Sequence, residues 1–457
     1  MTRTLNETSK AREEDDPANA GFIERVFQVR RRELPVVGWS WLYIFSILSS
    51  YYVMRPIREQ MGVSGGIENL PWLFTATLVA MILLNVPFGY LVKRLPRVRF
   101  IPITYRFFTA NILLFALALH LANKEQAVWI GRLFFVWLSV FNLFVVSIFW
   151  QTIVDVFSSD QGKRLFGFIA AGATIGAILG SAATALLART VPTWGLLLGA
   201  AVLLEVAVFS ARRLSRVSDQ LARKPLSQSG EQPIGGSTFA GLMHVVRSPY
   251  LLNVSLFFLL FSITSTFLYF EQVNVAAKAF PDRGAQTSFF ATVDLAVNVL
   301  TLLIQLFLTG RVVRLVGVGL ALASLPLLSM VGFAVLIYAP TVVPVVAFQV
   351  LRRAGNFGIA RPTREVLFTV LPREDRYKSK SVIDTVVYRL GDQAGAWSYA
   401  LVGFLHWGAS ALPILAIPIS AIWLVNAIWL GRRQELMAAN EPATTSLSPG
   451  APKVAAI

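Results

Sequence analysis

The chain has 457 residues, 55% of them hydrophobic and only 14% charged, and it contains no cysteine. So apolar a composition excludes a soluble core wrapped in a polar shell, and the missing cysteines exclude disulfides, thiolate chemistry and Cys-based metal sites. The net charge of +16 would suggest nucleic acid if it formed one basic surface, but its order along the chain gives it another meaning.

Residues 1–35 read as a hydrophilic tail too charged for a cleavable signal peptide. Within it, Gly21 to Leu34 has the pattern of a short basic amphipathic helix lying on a membrane surface. Long apolar runs follow: Val36 to Met54, Pro71 to Val92, Ile101 to Leu121 and Ile130 to Val154 open a series that continues almost to the C-terminus. A hydrocarbon layer roughly 30 Å thick is crossed by about 20 helical residues, so the series predicts about twelve spans and an all-α polytopic membrane protein. Basic residues gather in alternate loops, from Lys93 and Arg94 through Lys163 and Arg164 to Arg432 and Arg433, while the intervening loops carry few. That is the positive-inside pattern; it predicts that both termini are cytoplasmic and leaves no basic surface for nucleic acid. His120, His244 and His406 lie scattered near predicted helix ends without ligand spacing, so no metal or cofactor is expected.

The chain divides near its middle. Arg212 to Gly236, rich in Pro, Ser, Gln and Gly, reads as a cytoplasmic linker, giving bundles at 36–211 and 249–432, a linker at 212–248 and a loose tail at 433–457. The bundles echo each other. Gly89, Lys93 and Pro96 recur as Gly310, Arg314 and Gly317, and Asp160, Lys163, Gly176 and Gly180 recur at one offset as Asp375, Lys378, Gly391 and Gly395. Two six-span pseudo-repeats describe the major facilitator plan, whose halves rock about a central site. The stretch GYLVKRLPRVR resembles that superfamily's loop signature, with Lys93 and Pro96 departing from it. Gly172, Gly176 and Gly180, like Gly391 and Gly395, recur every four residues, a spacing for close helix packing; a sliding seam between the halves is the functional version.

Charge inside spans is the second signal. Placing one at mid-bilayer costs roughly 2.5–3.5 kcal/mol, so each needs a cavity, a partner or a role. The tenth span reads QVLRRAGNFGIARPTREV, with Arg352, Arg353, Asn356, Arg361 and Arg364 beside the helix-weakening Gly355, Gly358 and Pro362. The first span ends in Arg55, Arg58 and Glu59, one turn apart. In the major facilitator plan these two spans line one cavity. Facing arginines would bind phosphate or carboxylate by paired hydrogen bonds; the structural alternative pairs them with Glu59, Glu271, Asp294 or Asp384. Glu271 and Asp294 are also candidates for a proton-linked or gating acid. Asp155 is expected to pair with Lys163 or Arg164. No Walker loop, zinc motif or nucleophile elbow is present, so an enzyme is not expected.

FWQTIVDVFSSDQGKRLFGFIAAGATIGAILG and RPTREVLFTVLPREDRYKSKSVIDTVVYRLGDQAGAW resemble the ATP/ADP (NTP/NDP) antiporter family of plastids and obligate intracellular bacteria, and more closely its relatives in free-living bacteria. Pro362, Thr363, Arg364 and Glu365, then Lys378, Lys380, Ile383 and Asp384, carry the sharpest part. The resemblance implies an inner-membrane antiporter in which Arg58 and Lys380 contact nucleotide phosphates. There are departures: an apolar stretch around Leu138 replaces an acid, Asn274 replaces another with Glu271 one turn earlier, and Asp392 replaces a lysine. The expectation is a monomeric carrier of a small anion, possibly a nucleotide. Substrate would relieve repulsion between facing arginines, so exchange would be favoured over net flux. The site set is Arg55, Arg58, Arg352, Arg353, Asn356, Arg361 and Lys380, with Glu59, Glu271, Asp294 and Asp384 coupling or gating. Alternatives are proton-coupled efflux of an amphipathic compound and a non-transporting scaffold or sensor.

Overall fold

The computed structural model describes residues 33–94, 97–157, 159–221, 245–371, 379–380, 382–408 and 410–439. The amphipathic segment expected at Gly21 to Leu34, most of the linker, Lys378 and the C-terminal tail lie largely or wholly outside these residues. Twelve helical segments run through the described chain: α1 Leu34–Ser64, α2 Leu70–Arg94, α3 Arg97–Leu121, α4 Lys124–Val156, α5 Ser159–Leu187, α6 Thr193–Leu221, α7 Pro249–Ala279, α8 Arg283–Phe307, α9 Thr309–Tyr338, α10 from Val342, α11 from Ile383 and α12 Ala411–Ala439. Ten are long and apolar enough to cross a membrane, α9 with a kink at Gly317. The other two, α10 and α11, are interrupted.

Local chemistry starts these helices where the sequence changes from polar to apolar. Asn123 and Gln126 form a reciprocal capping box at α4, Asp282 accepts from the Ala285 N–H at α8, and Ser248 accepts from the Leu251 N–H with Pro249 beginning α7. Backbone polarity is then satisfied within each helix, as hydrocarbon requires. Leu186, Val343 and Phe404 stand exposed on the outside, as lipid-facing residues do.

Packing repeats the sequence repeat. In the first half α1 is the hub for α4, α5 and α6; in the second, α7 is the hub for α10, α11 and α12. The glycine rows explain the two closest seams. A Cβ on Gly176 would strike the Phe45 carbonyl, and one on Gly180 would lie 2.6 Å from that of Ser49, so α5 lies directly on α1. Gly391 and Gly395 hold α11 against Ser262 and Thr266 of α7 in the same way. Both seams lie inside a half. The sliding-seam version of these glycines is therefore corrected: they weld each half together.

The interruptions sit where Gly and Pro predicted weakness. α10 runs to Gly355, widens into a π-helical turn over Asn356–Ala360 and resumes for Arg361–Val366. α11 begins with a second π-helical turn at Ile383–Val387 before Tyr388–Phe404. The Thr309 hydroxyl, 2.6 Å from the Gly358 carbonyl, and the Gln305 amide at Phe357 take up backbone acceptors of the widened turn.

Contacts between the halves gather at one face, opposite the basic loops. There α8 meets α1 and α5, α2 meets α11, and α7 meets α1. Leu70, Leu73 and Phe135 of the first half share one apolar cluster with Phe267, Phe270 and Val273 of the second. By contrast α4 packs on α1, α2 and α3, without comparable packing onto the second half among the described residues.

A charged network joining the two halves

Just inside the closed face the apolar seal gives way to charge. α1 delivers Arg55, Arg58 and Glu59 on successive turns; α7 delivers Tyr269, α8 Asp294 and α10 Arg353. Asp294 is the centre: its Oδ1 accepts from Arg55 across the divide and from Arg353 within its own half at 2.8 Å. Its Oδ2 is buried and has no partner among the described residues. Alongside, Glu59 accepts from Arg58 at 3.0 Å on Oε1 and from the Tyr269 hydroxyl at 2.7 Å on Oε2. The Arg58 guanidinium also lies 3.8 Å from the Phe135 ring centroid and donates Nε–H to the Phe135 carbonyl at 3.2 Å.

Uncharged bonds frame this network. Thr75 of α2 donates to Gln393 of α11 at 2.9 Å and accepts from the Trp397 indole at 3.2 Å, beneath the edge-to-face pair of Trp72 and Trp397. Ser288 of α8 donates to the Ala185 carbonyl of α5 at 2.8 Å.

Other candidates go elsewhere. Arg352 is 2% exposed and spends its donors inside the second half: Nε on Ser329, Nη1 on Ser265, Nη2 on Thr264 and the Phe261 carbonyl. The expectation that it faces Arg58 across a cavity is corrected, because neutral dipoles of α7 and α9 already surround it. Asn356 is buried and accepts from Arg364, whose guanidinium lies 4.7 Å from the Phe258 centroid and 4.9 Å from that of Phe261. Arg361 and Asp384 are exposed, and Lys380 pairs with Glu365. These form a second polar group toward the basic-loop end of α10 and α11, apart from the Asp294 network. Glu271 is 6% exposed, and among the described residues no side chain bonds to it. Arg164 donates to Glu33 at 2.8 Å, and the side chain of Lys163, the other partner expected for Asp155, lies outside the described residues.

Four positions carry more than the sequence suggested. Tyr269, Thr75 and Gln393 read as ordinary polar residues of apolar helices, and only the docking of the halves makes them contacts. Asp392, where the resemblance leads one to expect lysine, accepts from Ser262 at 2.5 Å and Arg389 at 3.2 Å, pinning α11 to α7 beside the glycine seam. Among the described residues no cluster of metal-ligating side chains occurs.

Paired six-helix bundles, sealed at one face around a charged network, have the architecture of one transporter group. The family model of the Major Facilitator Superfamily matches residues 36–391. The chain belongs to that superfamily. It is 21% identical to ADP,ATP carrier protein 1 of Chlamydia pneumoniae over 89% of this chain and 93% of that one. The ADP,ATP carrier protein 1 of Chlamydia muridarum is also 21% identical, over 94% and 96%. Among solved structures, a bacterial homologue of the iron transporter ferroportin in an inward-facing state superposes with a TM-score of 0.60 at 12% identity, covering 88% of this chain and 98% of its own. An auto-inhibited POT family peptide transporter gives 0.59 at 13% identity over 91% and 99%. These structures share the fold. This superfamily member is thus a multi-pass membrane protein of a transporter family, related to nucleotide antiporters, rather than an enzyme.

Proposed function

We propose that this protein is an inner-membrane secondary transporter that carries a small phosphorylated, nucleotide-like anion by alternating access, with both termini cytoplasmic. The observation that carries the reading is the charge balance between the halves: three guanidiniums, of Arg55, Arg58 and Arg353, against the two carboxylates of Glu59 and Asp294. A buried surplus of guanidinium is costly unless an anion completes it. Arg361 and Lys380, set among the carboxylates of Glu365 and Asp384, offer an anion entering from the basic-loop face donors that it can take over by exchange. Arg58 and Arg353 then offer forked donors to phosphate oxygens, which compete with Glu59 and Asp294 for them. Kinship with ADP,ATP carriers supports the same class of cargo.

The test is a thermal-shift comparison of purified protein with ADP, a sugar phosphate and citrate at fixed ionic strength. A phosphorylated compound should raise the melting temperature, and Arg58→Ala should weaken its binding by about tenfold or more. Protection by none of these anions, or by cationic amphiphiles alone, would overturn the reading. A second reading, proton-linked efflux, draws on one observation, the buried Glu271, which no side chain among the described residues bonds. Transport driven by a pH gradient, abolished by Glu271→Gln and blind to phosphate, would favour it.

A further inference from the structure

We propose that the closed face opens without substrate through a charge handover along α1, in which Arg55 leaves Asp294 and takes the Glu59 oxygen that Tyr269 vacates. The inference rests on the alternating-access reading and goes beyond it by assigning the transport mode. The empty carrier reorients, so net flux accompanies exchange.

The partners divide cleanly between the halves. Arg55, Arg58 and Glu59 travel with α1; Tyr269, Asp294 and Arg353 travel with α7, α8 and α10. Opening this face must therefore break two bonds of the network, Arg55 to Asp294 and Tyr269 to Glu59. Taken alone, that would strand a guanidinium on one side and a carboxylate oxygen on the other. The arrangement supplies replacements for both. Asp294 keeps Arg353, which bonds the same Oδ1 from within the second half. Glu59 keeps Arg58 on Oε1, and Arg58 is anchored by Phe135 of its own half.

That leaves Arg55 with no partner and Glu59 with a vacated Oε2. They stand four residues apart on one helix, where side chains are neighbours. Each charge then has a partner in both states, and the surplus of one guanidinium that would draw an anion is the same in both, so reorientation itself does not wait for substrate. Among the described residues the other hydrogen bonds holding this face shut, Thr75 to Gln393, Trp397 to Thr75 and Ser288 to the Ala185 carbonyl, are uncharged and exchangeable for water. This replaces the sequence-based expectation that an empty cavity, repelling itself, would favour exchange alone.

The experiment uses the natural absence of cysteine. Lys124→Cys and Arg283→Cys, exposed at the first turns of α4 and α8 and lining one cleft across the divide, carry spin labels in nanodiscs without substrate. Electron–electron dipolar spectroscopy should resolve a short and a long separation. Glu59→Gln still accepts from Tyr269 but offers Arg55 no charge, so the long population should fall by about tenfold or more. Tyr269→Phe loses only a closed-state bond, so its long population should rise. In an Arg55→Met background the Glu59→Gln effect should vanish, which separates handover from a general loss of folding. A long population that rises or stays unchanged in Glu59→Gln overturns the proposal, as does a single short separation in the unmodified network. Phosphate-compound binding measured as above stands or falls independently of either result.

Discussion

At the scale of single residues, an arginine's neighbours decide its role, and sequence cannot name neighbours that lie far along the chain. Arg352 and Arg353 are adjacent, and the sequence reading gave them one purpose. A turn of about 100° per residue sends Arg353 to the Asp294 carboxylate and Arg352 into a nest of hydroxyls on α7 and α9. Those hydroxyls have backbone carbonyls to fall back on: Ser265 donates to Phe261 and Ser329 to Leu325. Arg352→Met, which fills the space, should stay within about 1.5 kcal/mol of the parent, whereas Arg352→Ala should cost about 2–5 kcal/mol by leaving a void. Unfolding in a denaturing detergent titration measures both. Uptake of a phosphorylated substrate should survive Arg352→Met and fail in Arg353→Met, because only the latter strips Asp294 of the partner that stays with it. The pairing of Arg55 with Asp294 spans 239 positions. The two charges were visible in the sequence; their meeting was not.

At the scale of elements, more was legible. Glycine at four-residue spacing and the matched offsets pointed to close packing repeated in both halves, and the seams of α5 on α1 and α11 on α7 follow that pattern. The choice of partner helix depended on tertiary docking and was misjudged in the sliding version. Gly176→Val should therefore block folding of the first half, since a side chain there meets the Phe45 backbone, while Gly199→Ala, with open space around it, should be silent. Size-exclusion profiles of the two variants check this. Gly355, Gly358 and Pro362 announced a weak point in α10 without announcing its form. The π-helical turn holds one more residue than an α-helical turn would, so deleting Ile359 should restore the α register. Because the widened turn absorbs its extra residue, Arg361 and Arg364 would keep their facing relative to Arg353, so the deletion removes the wide turn and little else. The variant should insert and fold but lose transport, as uptake in proteoliposomes would record.

At the scale of the whole molecule, closure depends on how near the halves approach at one face. Gly284, at the start of α8, is a gauge of that approach: a Cβ there would lie 2.5 Å from the carbonyl of Ala188, the residue just past the end of α5. Gly284→Leu should act as a wedge. It should hold the face open and raise labelling of a cysteine placed at Thr75, which in the parent is shielded between α2 and α11. Hydrocarbon imposes helices on a chain so apolar, and the polar linker with its matched repeat on either side made the two-bundle architecture legible. The closed state was not legible; under the alternating-access proposal it is one of two arrangements of the same sequence. The hub-and-seam packing has one further outcome. Because α1 with its partners, and α7 with theirs, are each sealed by their own glycine rows, neither bundle depends on the other for its internal order. Two open reading frames divided within residues 222–244 should yield pieces that mature separately in the membrane and find each other afterwards as a working pair.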